Sequence, residues 1–136
     1  GKLSGPLLDR IDIHLAMTRL NHEELHLNAP SGESSATIRE RVIRARQVQN
    51  DRSGTGNAHL SQSQLKSHCQ LAGSDQELLD RAMNTLQLSA RATYRILRVA
   101  RTIADLASSP AIETPHLAEA IQYRQLDRAM AVPKRR

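Results

Sequence analysis

Phenylalanine and tryptophan are absent from this sequence, and its only aromatic residues are Tyr94 and Tyr123. Any core must therefore be built from Leu, Ile, Val, Ala and Met. Such a core favours helices packed through small and branched side chains over a β-sandwich, which normally draws on aromatic rings. The single cysteine, Cys69, excludes an intramolecular disulfide and any cysteine-based zinc site, a usage that suits a reducing cytoplasm. No apolar run approaches transmembrane length and no signal peptide is visible, so no membrane association is expected. There is no G-x-x-x-x-G-K-[ST] loop, so the sequence carries no nucleotide cradle of its own. It starts with Gly1 rather than Met, which suggests a piece of a longer protein.

What is present is basic. The 136 residues carry 19 Lys and Arg against 14 Asp and Glu, a net charge of +5. All but three of the basic residues are arginine. Its planar fork grips phosphates and carboxylates through two hydrogen bonds, so the bias points to phosphate-bearing or acidic partners as readily as to a solvated helical surface.

The length suits one compact domain with an attached segment. Residues 11–17, IDIHLAM, alternate in polarity as a β-strand does, with Ile11, Ile13, Leu15 and Met17 on one side. No comparable second strand follows, so this one would need partners from elsewhere. Residues 18–35 are polar, with Pro30, Gly32 and a serine cluster, and read as a linker. Helical periodicity then sets in over 36–52, with Ile38, Val42 and Ala45 on one face and Val48 beside it. A short helix is expected near 61–68. Another runs over 75–86, with Ser74 as its cap and Leu78, Leu79, Ala82 and Met83 inward. The clearest element is 89–108, capped by Ser89, with Ile96, Val99, Ala100, Ile103 and Ala107 on one stripe and Pro110 ending it. Arg91, Arg95 and Arg98 stack on its other side. A last helix starts at Thr114-Pro115, a cap followed by Pro at the first helical position. The predicted fold class is mainly α: a small bundle of four to five helices with an N-terminal strand stub and linker. The divisions fall at 1–17, 18–35, 36–130 and a basic tail, 131–136.

Two short patterns invite catalytic readings. His22-Glu23-Glu24-Leu25-His26 satisfies H-E-x-x-H, which binds zinc when a helix brings both imidazoles to one face. Here it sits among Asn21, Asn28 and Pro30, with room for barely two turns and no recognised third ligand. A chance match within a linker is the better reading, and no metal site is assigned. Cys69 follows His68, but sequence neighbours do not thereby form a dyad, and a part-buried helix cysteine is the expected state.

Four longer stretches carry a resemblance. LSGPLLDRIDIH (3–14), GESSATIRERV (32–42), LSARATYRILRVARTIADL (88–106) and HLAEAIQYR (116–124) resemble, in order, the C-terminal region of Mg-chelatase-like AAA+ ATPases of the bacterial, competence-related ComM type. The first resembles the segment bearing the arginine finger and leading into the last strand of the nucleotide-binding core; the others resemble the helical lid. The resemblance implies that Arg10 completes the ATP site of a neighbouring subunit, where a guanidinium stabilises charge on the transferred phosphoryl group. It implies that Arg91 is the sensor-2 arginine that touches the γ-phosphate; Arg95 and Arg98 continue a basic face with no specific role. For a full-length relative it implies ATP and Mg as cofactors, a homo-oligomeric ring, expected to be a hexamer, and a cytoplasmic motor that moves DNA in branch migration during natural transformation. Magnesium insertion into a porphyrin is not implied. The Walker A, Walker B and sensor-1 segments are not in this sequence, so the chain alone is expected neither to hold a cofactor nor to hydrolyse ATP. The competing reading is a stand-alone basic helical domain that binds nucleic acid, with the near absence of aromatic rings arguing against base stacking.

Overall fold

The computed structural model describes residues 32–131, with side chains through Gln125. Arg10, the strand expected at 11–17 and the His22–His26 pattern lie outside the described residues, as do residues 132–136 of the basic tail.

The described chain forms five α-helices and one 3₁₀ turn: α1 (Ser35–Ser53), the turn (Asn57–His59), α2 (Gln62–His68), α3 (Gly73–Leu86), α4 (Ala90–Leu106) and α5 (Thr114–Ala131). No strand occurs among the described residues. The mainly α, small-bundle class is therefore correct. Helix α4 is the hub, packing on α5, α1, α2 and the 3₁₀ turn, while α3 packs on α5. The sequence explains this centrality, because α4 has the strongest apolar stripe. Ile96, Val99, Ala100 and Ala104 are buried on it, and they meet Leu117, Ala120 and Ile121 of α5. Small alanines at the contact let the two helix backbones approach closely. Tyr94 and Tyr123 only flank this core, so it is aliphatic as expected.

Serine caps start three of the helices. Ser34, Ser61 and Ser89 each accept a backbone N–H from the residue three positions on, satisfying a donor that the first turn leaves free. At Ser61 the arrangement is reciprocal, because Gln64 also reaches back to the Ser61 N–H.

Several boundaries differ from the sequence reading. Ser74 does not cap α3. The helix starts at Gly73, with Ala72 at the cap position accepting from the Gln76 N–H. Asp75, in the first turn, is buried and accepts a hydrogen bond from the Thr114 hydroxyl, so the α3–α5 contact fixes where α3 begins. Thr114, engaged there, is not the cap of α5. Glu113 plays that part, its carbonyl accepting from Leu117 while its N–H donates to His116 Nδ1 at 3.0 Å.

Helix α4 ends at Leu106, before Pro110. Ser108 turns into the left-handed region at φ 57°, and the Ser109 N–H bonds back to the Ala104 carbonyl at 2.8 Å. Ala107 is consequently exposed, and Ala104 takes its place on the buried stripe. On α1 only Ala45 and Gln49 are buried; Ile38 and Val48 are each 43 % exposed. The apolar stripe of α1 runs on past the residues it packs against.

Candidate functional site

Helix α4 carries every predicted site residue that the structure describes. Arg91 is its second residue, exposed, one position after Ala90 and two after the capping Ser89. It makes no ion pair with any other described residue. Ser89 Oγ accepts from the Ala92 N–H at 3.0 Å, and the Thr93 hydroxyl donates to the Ser89 carbonyl at 3.0 Å, so this first turn is capped by two side-chain hydrogen bonds. A guanidinium held there stands over the positive end of a 17-residue helix dipole, where an anion is favoured.

The other two arginines of the expected face are arranged differently. Arg95 and Arg98 are only partly exposed. Arg98 turns inward, and its Nη2 donates to the Leu60 carbonyl at 3.0 Å. It also lines an apolar hollow of about 280 Å³ with Val99, Ile103, Leu106 and Tyr123. Of the three, Arg91 alone is exposed.

The densest polar cluster lies at the other end of α4, and sequence reasoning missed it. Asp105 is buried, and both its oxygens are saturated. Oδ1 accepts from Arg52 Nη1 at 3.0 Å and Arg101 Nε at 3.1 Å; Oδ2 accepts from Arg52 Nη2 at 3.0 Å and Asn57 Nδ2 at 2.9 Å. Arg101 continues to the carbonyls of Ser109 (2.9 Å) and Pro110 (3.3 Å), tying the α4–α5 loop to the same carboxylate. Asn57 is held by Arg52, by Thr102 at 3.1 Å and, through its backbone N–H, by Gln49 at 3.0 Å. One carboxylate therefore joins α1, the 3₁₀ turn, α4 and the following loop. Burial alone would push the Asp105 carboxyl upward, but hydrogen bonds from Arg52 and Asn57 and the charge of Arg101 outweigh it and hold the carboxyl below its ordinary range. Arg52 is reciprocally raised, first by its hydrogen bonds to Asp105. The signal present in the sequence is the Arg101–Asp105 spacing of four within VARTIADL, which places the two on one helix face. The long-range partners Arg52 and Asn57 have no such marker.

No group of three His, Cys, Asp or Glu side chains is placed to hold a metal ion among the described residues. Cys69 is buried and its thiol is pushed up to about 11, chiefly by burial, so it is not a nucleophile at neutral pH. No helix among the described residues is long and apolar enough to cross a membrane.

Residues 32–124 match the family model described as "Magnesium chelatase, subunit ChlI C-terminal". The chain is 43 % identical over 129 residues to a protein of Haemophilus influenzae named "Competence protein ComM", covering 95 % of this chain and 25 % of the relative. It is 41 % identical over 129 residues to "Uncharacterized protein YifB" of Escherichia coli, covering 95 % and 26 %. It is 37 % identical over 131 residues to "Uncharacterized protein Rv2897c" of Mycobacterium tuberculosis, covering 92 % and 25 %. The chain thus spans about a quarter of the length of these relatives.

Proposed function

This chain belongs to the family of magnesium chelatase ChlI C-terminal domains, in a ComM-type branch, and on that premise we propose that it is the nucleotide-responsive lid of an AAA+ ring motor. The observation that carries the reading is the position of Arg91. It is exposed and free of ion pairs among the described residues, at the capped start of the helix on which most of the domain packs. A γ-phosphate drawn to Arg91 pulls on α4, and α4 cannot move without α1, α2 and α5, so a contact at one guanidinium becomes a rotation of the whole domain.

In the full-length protein a AAA+ core would hold ATP and Mg, neutralising charge on the phosphates, while Arg91 reads the presence of the γ-phosphate. Arg10 would reach the ATP site of the adjacent subunit in a hexameric ring. The work of that ring would be the movement of DNA in the cytoplasm, in keeping with the competence role named for the Haemophilus relative.

Steady-state ATP hydrolysis by the full-length protein tests both arginines. Arg10→Ala should lower kcat by roughly 10³-fold, the lower end for an arginine finger. Mixing it with a subunit whose own ATP site is disabled should restore turnover at the mixed interfaces, since each partner supplies what the other lacks. Arg91→Ala should abolish the nucleotide-dependent change in lid position, followed by a distance probe between α4 and the core. Unchanged turnover and unchanged lid movement in Arg91→Ala would refute the sensor reading.

A further inference from the structure

Besides Arg91 at the start of α4, the described surface carries exposed arginines free of ion pairs with described residues on α1: Arg39, Arg44 and Arg46. Arg39, Ile43, Arg46 and Asn50 follow one another at intervals of four, three and four, so they share one face of that helix. Arg39, Ile43 and Arg46 are all exposed, and neither arginine makes an ion pair with a described residue. The acidic residues of α1 point elsewhere: Glu40 and Asp51 are displaced by one position from this stripe, and Asp51 accepts from Gln47 at 3.0 Å.

The foot of the stripe opens into a hollow of about 400 Å³, lined by Arg46, Asn50, Gly56, Asn57, His59 and Thr102. Arg46, Asn50 and His59 bring polar side chains to its lining, and Asn57, also in the lining, belongs to the Asp105 cluster. That cluster sets two guanidiniums, Arg52 and Arg101, against one carboxylate. The hollow therefore lies beside a cluster whose side chains carry one more positive than negative charge, with Arg46 at its edge and Arg39 two turns away, about 10 Å along the axis.

From this placement we propose that α1 and the 3₁₀ turn form a nucleic-acid backbone site, with one phosphodiester in the hollow against Arg46, Asn50 and His59 and another at Arg39. Exposed Ile43, between the two arginines, meets the sugar. The site reads charge and spacing, not base identity, since no Phe, Tyr or Trp lines it and no base-reading fork is fixed there. It is independent of the nucleotide-sensing role of Arg91 and lies at the opposite end of α4, beside Thr102.

The test is fluorescence anisotropy of a labelled mixed-sequence DNA, single- and double-stranded, titrated with the 136-residue chain at several salt concentrations. Arg39→Gln/Arg46→Gln should weaken binding about tenfold or more and reduce the slope of log affinity against log salt by about two, one for each phosphate that is no longer neutralised. Arg81→Gln, which removes an exposed charge on α3, should leave both quantities nearly unchanged. Circular dichroism melts of all variants should coincide, because each altered side chain is exposed. Three results would overturn the proposal: no DNA binding by the parent chain, an equal loss in Arg81→Gln, or displacement of DNA by equimolar ATP or inorganic phosphate, which would make this a site for free phosphates.

Discussion

Asp105→Asn changes almost nothing in volume and removes one negative charge from between two guanidiniums. The Asp105 and Arg101 side chains are 0 % and 3 % exposed, so Arg101 is left buried without a counter-charge. Breaking a buried pair in this way costs about 3–5 kcal/mol, and urea unfolding of the chain should show a loss of that size. Arg52→Ala should cost less, because the Arg52 side chain is 20 % exposed and water relieves part of the loss. The same carboxylate sets an acid dependence. Its folded value is depressed below the unfolded value of about 3.9, so its stabilising contribution is complete above that pH and is lost as pH falls through the folded value. In Asp105→Asn that part of the acid transition should disappear from a plot of stability against pH. Cys69 acts at the other end of the scale: with its thiol raised to about 11, the unfolded chain deprotonates first and stability falls as pH rises from about 9 towards 11. Native Cys69 should resist alkylation at neutral pH and react once urea unfolds the chain.

Two helices end on residues poorly suited to the conformation they hold. Gln87 closes α3 at φ 51° and Ser108 follows the end of α4 at φ 57°; each is followed by an N–H that bonds back five residues, Leu88 to Met83 and Ser109 to Ala104. This turn favours glycine, as Gly54 shows after α1, at φ 72°. Gln87→Gly and Ser108→Gly should each stabilise by about 0.5–1 kcal/mol, seen as a rise of several degrees in Tm, because the left-handed penalty of a β-carbon exceeds the added entropy of glycine. The same positions show what the sequence could reveal. Serine caps and the Ile96–Val99–Ala100 stripe are local patterns, so α4 and its start are legible. Helix ends made by non-glycine residues carry no local mark, and Pro110 sets only an outer limit on α4. Arg91 is singled out only through the family resemblance of its stretch, whereas the Arg52–Asn57–Asp105 cluster joins residues 48 to 53 positions apart and becomes visible only once the chain is folded.

At the level of the whole molecule, the question is where the folding unit begins. Every buried residue described lies between Ala45 and Arg124, and α1 enters the core through Ala45, Gln49 and the Arg52 fork. Among the described residues, nothing in that network draws on the chain before Glu33, whose exposed carboxylate pairs with Arg41 at 2.9 Å on the surface. Exposed pairs of this kind add little. A chain starting at Gly32 keeps every one of these buried residues and the Arg52 fork, and it should melt in one cooperative transition. A chain starting at Gly56 should behave very differently. It keeps all of the apolar cluster from Leu60 to Ile121, yet it removes Arg52, leaving Asp105 with two of its four hydrogen bonds and an open flank on α4. If apolar burial alone held the bundle, that second chain would fold nearly as well as the first. The expectation is that it does not. Its circular dichroism should keep helical signal while the cooperative thermal transition is lost, because the element that joins α1 to the bundle through a saturated carboxylate has gone. A sharp transition in the shorter chain, close to the parent Tm, would show that the Asp105 cluster orients α1 without stabilising the core.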